Sequence, residues 1–204
     1  MKKLTTDGHI KSIHPDNVSY DRDLRLVRVE RAIEDSDELV GFVLKANSEL
    51  VLVNTLGDIG NFNGFSVLRK SDVVRLSTVP KRSFDRLIVE ADGIQPRPFP
   101  GVAFQNLSTL VESASRLFGI VSIMNEFARP DISHVGVFEG SEKRHLRLKE
   151  INIFGEIQKR ISRHQWMSIT RVDFGGPYEE ALGRVVNHLK EGSIGNQSSG
   201  CGSS

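Results

Sequence analysis

The chain has 204 residues, of which 38% are hydrophobic and 26% charged, and its net charge is +1. This composition is ordinary for a folded globular protein and excludes the collagen-like and disorder-dominated classes. With 27 basic and 26 acidic residues, the total charge gives no reason to expect a polyanionic partner.

No run of about 18 apolar residues occurs, which argues against a membrane-spanning helix and against a membrane partner. The first residues, MKKLTTDGHIK, carry two lysines but no apolar segment typical of a secretory signal. We therefore predict a cytoplasmic protein. The single cysteine, Cys201, excludes an intrachain disulfide and argues against a cysteine-based metal site.

The first half of the chain is predicted to contain short strands followed by a helix. Residues 1–19 are polar and aperiodic, which indicates a flexible lead-in, and residues 20–93 form the first unit. The run Leu24–Ile33 alternates with a phase slip, which favours a bulge or an edge. Gly41, inside the β-rich run LVGFVLKAN, indicates bending or a close approach of two backbones.

Turn and cap signals divide the rest of this unit. Asn63-Gly64 predicts a hairpin turn between ELVLVNTL and FSVLRK. Ser83 is placed to cap a helix that Gly93 ends, with Phe84, Leu87, Ile88 and Ala91 on its apolar face.

The second half begins after a proline-rich linker at 94–103, where three prolines occur within IQPRPFPG. Residues 104–191 are predicted to form a helix over Asn106–Phe118, a second set of strands and a terminal helix. The first helix starts either at Asn106 or at the capping pattern that Thr109 forms with Glu112. The strands are HVGVFEGS, RHLRLKEINIF and RHQWMSITRVDF, besides GIVSIMNEF. The last helix begins at Pro177 and ends at Gly192, and 192–204 is predicted to be a disordered tail.

The two halves show a weak internal repeat. A shift of 96 residues aligns Glu30 with Glu126 and Arg75 with Arg171, and it brings Gly41 within one residue of Gly136. Each unit then has about five short strands and a helix. Because strands this short would leave long exposed edges in a flat sheet, we expect each unit to curl into a small barrel. The predicted fold class is mainly β with a few helices.

Three segments support this interpretation by resemblance: GFVLKANSELVLVNTL, NGFSVLRKSDVVRL and ITRVDFGGPYEEAL. They resemble bacterial proteins with tandem Sm-like small β-barrels, over about Leu24–Leu182. The resemblance implies two tandem five-stranded barrels, each followed by a helix, and implies no particular activity. The glycine-and-asparagine RNA-contact motifs of Sm proteins are absent here, so those contacts cannot be transferred.

The sequence contains no recognisable catalytic or metal motif. The six histidines lack H-E-x-x-H or another metal spacing, so we predict no metal site, no cofactor and no catalytic residue. His134, His145 and His164 all fall in the second unit, where a metal or acid–base cluster is the alternative to ordinary surface or rim histidines. The aligned carboxylates Glu30 and Glu126 are predicted to face solvent rather than to form a catalytic pair.

Positive charge is concentrated in the second unit. Between Lys143 and Arg171 there are eight basic residues and two acidic ones. Strand alternation puts basic side chains on one face, and the only tryptophan lies close by, as a phosphate backbone and a stacked base require. The candidate nucleic-acid-binding residues are Lys143, Arg144, Arg147, Lys149, Lys159, Arg160, Arg163 and Trp166. The alternative is a solvated outer face with Trp166 packed in the core.

These observations favour a non-enzymatic binding or accessory protein that interacts with another protein, because small barrels offer sheet edges and grooves to partner chains. The second hypothesis is RNA binding through the basic second unit. The third, an enzyme with a site at the seam between the two barrels, is supported by no residue pattern. A homo-oligomer is compatible with all three.

Overall fold

The computed structural model describes residues 12–13 and 25–195. The rest of the predicted lead-in and Cys201 lie outside the described residues. The strands are β1 Ser12–Ile13, β2 Leu26–Arg31, β3 Leu39–Ala46, β4 Leu50–Leu56, β5 Phe62–Arg69, β6 Val73–Thr78, β7 Val121–Met124, β8 Ser133–Ser141, β9 His145–Ile151, β10 Ile157–Gln165 and β11 Arg171–Phe174. The helices are α1 Phe84–Ala91, α2 Leu107–Phe118 and α3 Pro177–Gly195.

All of these strands belong to one antiparallel sheet, in the order β1-β6-β2-β3-β4-β5-β11-β7-β8-β9-β10. Ten strands make up its body, and the two-residue β1 lies at one edge. The halves meet where β5 pairs with β11, with Phe65 opposite Phe174. The predicted mainly β class is confirmed. The prediction of two closed barrels is wrong, because the strands of both halves share one continuous ladder.

The sheet buries side chains on both of its faces near the middle. In β4, Leu50 and Leu52 point into a large core that both halves share, whereas Val51 and Val53 point into a core of the first half. All four are at most 2% exposed. This double burial explains why LVLV is continuously apolar rather than alternating, as in strands covered on both faces.

Aromatic rings fill the large core beside the seam between β5 and β11. Phe65 stacks on Phe174 at 5.6 Å between ring centroids, and Phe118 of α2 lies 5.1 Å from Phe174. Such pairs add stability beyond their buried area. The seam is therefore a packed part of the fold.

Two glycines allow neighbouring strands to approach closely. A Cβ at Gly41 would lie 2.2 Å from the backbone oxygen of Asn54, and one at Gly136 would lie 2.4 Å from that of Lys149. No side chain fits at either distance, so the prediction of a close backbone approach at Gly41 is confirmed. The glycine that the repeat brings near it has the same role in the second half.

The turn between β4 and β5 differs from its prediction. Asn63 and Gly64 lie inside β5, and the chain turns earlier, where Gly60 N–H donates to the Gly57 carbonyl at 2.9 Å. Gly64 has a φ of 99° and lies against the backbone of Gly176. Glycine at position 64 therefore permits a tertiary contact with Gly176 and does not form a hairpin turn.

The helix starts follow the capping signals. Ser83 accepts from Arg86 N–H at the start of α1, and Asn106 forms a reciprocal capping box with Thr109 at the start of α2. The apolar face predicted for α1 is only partly right. Ile88 is half-buried and lies against Gly60, but Phe84 and Leu87 are 63% and 52% exposed, because the helix packs mainly through Val89.

The terminal helix begins at Pro177 as predicted but continues to Gly195, beyond the predicted end at Gly192. Glu179 in its first turn is buried and accepts a hydrogen bond from Ser122 of β7 at 2.6 Å. Among the described residues, no helix is long and apolar enough to cross a membrane.

The segment RHQWMSITRVDF is not one strand. Its beginning is the end of β10, a 3-10 turn follows at Trp166–Ser168, and its end is β11. The first part of β10 was missed because IQKRISRHQ is an exposed edge strand whose polar residues obscure the alternation on which strand prediction depends.

The proline-rich linker is held against the sheet. Arg97 N–H donates to the buried Asn54 side chain at 2.7 Å, and its guanidinium lies 3.5 Å from the centroid of the Phe62 ring. Lys45 lies over the Phe99 ring at 4.6 Å. The connection between the halves is therefore a docked segment with its own contacts.

One buried ion pair links distant parts of the chain. Arg31, at the end of β2, binds both carboxylate oxygens of Glu126, which follows β7, and both side chains are 1% exposed. Thr170 also donates to Glu126 at 2.7 Å. The prediction that Glu126 faces solvent is therefore wrong, whereas its counterpart Glu30 is partly exposed and pairs with Arg75.

Candidate functional site

The outermost strands of the second half, β9 and β10, present two chemically different faces. Leu146 and Leu148 of β9 are fully buried in the large core, and Glu150 follows on the same side by strand alternation. On β10, Ser162 and His164 lie directly opposite Leu148 and Leu146, so they share this inner face. The inner face thus changes from apolar to polar toward its rim.

A compact group of three side chains forms this polar rim. His134 of β8 and His164 of β10 both contact the same oxygen of Glu150, at 3.2 Å from Nδ1 and 3.1 Å from Nε2. The two imidazole rings are 4.5 Å apart between centroids. Ligand atoms of all three residues lie within 4.8 Å of one another, and all three residues are half-buried.

The surroundings shift the ionisation of two of these groups. Burial lowers the pKa of His164, and the charge of His134 lowers it further against the opposing effect of Glu150. Burial raises the pKa of Glu150, but the Ser162 hydrogen bond and the nearby His134 outweigh it, so this pKa lies below its usual value. Both shifts favour the forms that donate lone pairs, a neutral imidazole and a carboxylate.

Ser162 supports the group without forming a catalytic triad. Its hydroxyl donates to the Leu148 carbonyl at 3.0 Å and lies 2.9 Å from His164 Nε2. That nitrogen is also the one that contacts Glu150. A nucleophile–base–carboxylate relay needs the two ring nitrogens to face different partners, so this arrangement is not one.

A cavity of about 220 Å³ opens beside the two histidines. Its lining includes Ile123 and Met124 of β7 and the 3-10 turn at Ser168. The cavity has room for several waters or a small ligand next to the polar group.

The outer face carries the predicted basic residues in two groups. Arg163 and Arg147 both pair with Glu142, and Lys149 lies 3.9 Å from Glu139. A second group is exposed and makes no ion pair with another described residue: Lys143, Arg144, Lys159 and Arg160. Part of the predicted basic patch is thus neutralised locally.

Trp166 is not presented for stacking. It packs against the large core, and its indole N–H donates to the Glu142 carbonyl at 3.2 Å. The alternative interpretation of this residue, as a packed side chain, agrees with these contacts.

The other side of β10 is a free sheet edge, since no described strand pairs with it. Trp166 N–H donates to the Arg144 carbonyl, which makes Gln165 and His145 a non-hydrogen-bonded pair. By the alternation of antiparallel ladders, the backbone groups of Ile161 and Arg163 then point away from β9. A bulge before Ile161 interrupts the first part of the strand.

An exposed apolar loop lies next to the start of β10. Ile153 and Phe154 are 91% and 72% exposed, and the adjoining Gly155 packs against Val185 of α3, which is itself 44% exposed. Clustered exposed apolar side chains are a common mark of protein-interaction surfaces.

No family model, no curated protein and no solved structure matches this chain.

Sequence reasoning found part of this site. It named His134, His145 and His164 as a group, and the structure brings the first and last together while His145 lies with Arg147 on the outer face. It missed Glu150, because the carboxylate is separated from both histidines in sequence. Only strand register and sheet curvature bring the three strands' side chains together.

Proposed function

We propose that this protein is a non-enzymatic binding protein that holds an extended acidic segment of a partner protein along the free edge of β10. The observation that carries the proposal is the unpaired outward backbone of Ile161 and Arg163 beside unneutralised Lys159 and Arg160. Addition of a strand to such an edge supplies main-chain hydrogen bonds.

Charge selects the kind of segment. Lys159 and Arg160 lie in the bulge of β10, and Lys143 and Arg144 lie in the turn that precedes β9. Lysine and a bulge also protect an edge against indiscriminate pairing. A neutral or basic strand would be disfavoured there, whereas carboxylates would complement the four free cations.

The exposed loop supplies a place for apolar side chains of the same segment. Ile153 and Phe154 precede β10 and are continuous with Val185 on α3. A partner segment with an acidic part and one or two large apolar residues fits this combination. Anchor residues of that kind dominate the energetics of many interfaces.

RNA binding through the same four cations is the second candidate function. It is favoured because none of the four pairs with an acidic residue in the described part of the chain. The residue predicted to stack a base, Trp166, is packed and hydrogen-bonded, which leaves Phe154 as the exposed ring near these cations. The protein partner accounts in addition for the free backbone edge of β10.

We also propose that the two halves are copies of one Sm-like unit. The orders β6-β2-β3-β4-β5 and β11-β7-β8-β9-β10 support this, since in each the fifth strand in the chain lies beside the first. A 3-10 turn precedes the fifth strand in both halves. The matching roles of Gly41 and Gly136 are further support.

The test is selection of random peptides from a display library on the full chain, with a single-stranded oligouridylate RNA as a parallel probe. We expect acidic peptides with apolar positions to be enriched. Ile161→Pro removes an outward N–H and should weaken a selected peptide about fivefold, as loss of one hydrogen bond implies. The double variant K159E/R160E should weaken it about tenfold at low salt.

Two results would contradict the proposal. One is that the selected peptides bind Ile161→Pro and K159E/R160E as tightly as they bind the wild type and the matched surface control R184E. The other is RNA affinity that falls steeply with salt while no peptide is enriched, which would favour the second candidate. Circular dichroism of each variant separates loss of binding from loss of fold.

A further inference from the structure

We propose that His134, Glu150 and His164 form a binding site for a divalent transition-metal ion of the zinc type. The three residues come from the adjacent strands β8, β9 and β10, on the inner face of the sheet. Such an ion would cross-link the strands behind the proposed binding edge. The site is independent of what that edge binds.

The distances between the potential ligand atoms suit such an ion. Two ligands at 2.0–2.1 Å from a tetrahedral metal are about 3.3 Å apart. The Glu150 oxygen lies 3.2 Å from His134 Nδ1 and 3.1 Å from His164 Nε2. The two nitrogens lie within 4.8 Å of each other and would have to approach to about 3.3 Å in a tetrahedral site.

The donor set indicates the class of metal. Two imidazoles and one carboxylate, without sulfur, suit Zn²⁺ and similar ions, whereas Mg²⁺ and Ca²⁺ prefer oxygen ligands alone. Three protein ligands leave further coordination positions to water. The cavity of about 220 Å³ beside both histidines has room for those waters.

The neighbouring residues hold the ligands in place. Ser162 is hydrogen-bonded to His164 and to the Leu148 carbonyl, and it also contacts Glu150. The contact with Glu150 orients that ligand, whereas the contact with His164 Nε2 would be exchanged for the ion. Ile123, directly opposite His134 on β7, is buried and forms an apolar wall beside the group.

The alternative is a hydrogen-bonded cluster at the rim of the core that binds no metal ion. It also explains the contacts of Glu150, because a half-buried carboxylate needs donors. The alternatives differ in one measurable property. A metal site binds Zn²⁺ with a fixed stoichiometry through both histidines, and a structural cluster does not.

The experiment is calorimetric titration of the chelator-treated full chain with ZnCl₂, with the visible spectrum of Co²⁺ as a second readout. We expect one ion per chain with a Kd of about 1 μM or below. His134→Ala, His164→Ala and Glu150→Gln should each weaken binding at least about tenfold. His145→Ala and Cys201→Ser are the matched controls and should leave the Kd unchanged.

A measurement on the unmodified protein tests the metal site without relying on variants that could misfold. Zn²⁺ should shift the imidazole NMR signals of His134 and His164 and leave that of His145 in place. The proposal is overturned by absence of saturable binding up to about 1 mM, by variants that bind as the wild type does, or by shifts confined to other histidines. Failure here leaves the peptide-binding proposal untouched, because its variants alter the outward side of β10.

Discussion

Replacement of Glu126 by glutamine should destabilise the protein strongly, because it leaves a charged arginine buried without its partner. The side chains of Arg31 and Glu126 are each 1% exposed and are joined by two hydrogen bonds, and Arg31 Nη2 also donates to the Asp37 carbonyl at 3.1 Å. Breaking a buried pair from one side costs about 3–5 kcal/mol. For a chain of this size, that corresponds to a fall in Tm of about 6–20 °C.

Replacement of the other partner, Arg31, by methionine should lower the free energy of unfolding less than E126Q does. In Arg31→Met, Glu126 keeps the Thr170 hydrogen bond and the attraction of Arg171. In the double variant R31M/E126L neither charge is present, and Thr170 keeps the Met124 carbonyl at 3.2 Å as its acceptor. An apolar pair of similar volume is often neutral or stabilising at such a site, so the double variant should be more stable than E126Q.

The assay is equilibrium unfolding in guanidinium chloride, followed by the fluorescence of Trp166, the only tryptophan, and by circular dichroism. Coincident transitions from the two probes establish that one free energy describes the change. Glu30→Gln is the matched control, because Glu30 aligns with Glu126 at an offset of 96 residues but forms a partly exposed pair with Arg75. If E126Q lowers the midpoint no more than E30Q does, or if the double variant is the least stable, the reasoning is refuted.

Three further predictions concern packing, capping and the metal. Gly41→Ala and Gly136→Ala should each destabilise the protein by about 1–3 kcal/mol or more, because the added Cβ meets a backbone oxygen. Gly183→Ala in α3, whose added Cβ has its nearest contact at 3.7 Å, should stabilise the protein by about 0.5–1 kcal/mol. Urea unfolding measures the free energy of all three variants. Asn106→Ala should cost about 1 kcal/mol through loss of the α2 capping box, read as a lower unfolding midpoint. Zn²⁺ at about one hundred times its Kd should stabilise the chain by about 2.7 kcal/mol, and a thermal melt without this gain would contradict the metal site.

The two proposed sites use different sides of the same strand: the metal site lies on the inner face of β10, and the peptide site follows its free edge. Alternation along β10 directs His164 and Ser162 inward and Arg163 and Ile161 outward. An ion bound on the inner face would therefore hold β10 in place, and the free edge of that strand would bind the partner. Peptide affinity measured with and without Zn²⁺ reports whether the two are coupled.

Local structure was largely determined by the sequence. The capping residues Ser83 and Asn106 define helix starts through hydrogen bonds within one turn, so neighbouring residues suffice to predict them. Gly41 indicated a close backbone approach because few other reasons place glycine inside an apolar strand. The mainly β class followed from the same local alternation.

Only the tertiary structure decided how these elements are joined. Nothing in β5 or β11 specifies that they pair with each other, because strand alternation defines faces and does not name partners. The burial of Glu126 depends on Arg31, 95 residues away, and the meeting of His134, Glu150 and His164 depends on the register and curvature of three strands. The sequence identifies which side chains can carry charge or bind a metal, and long-range strand pairing determines the distances between those side chains.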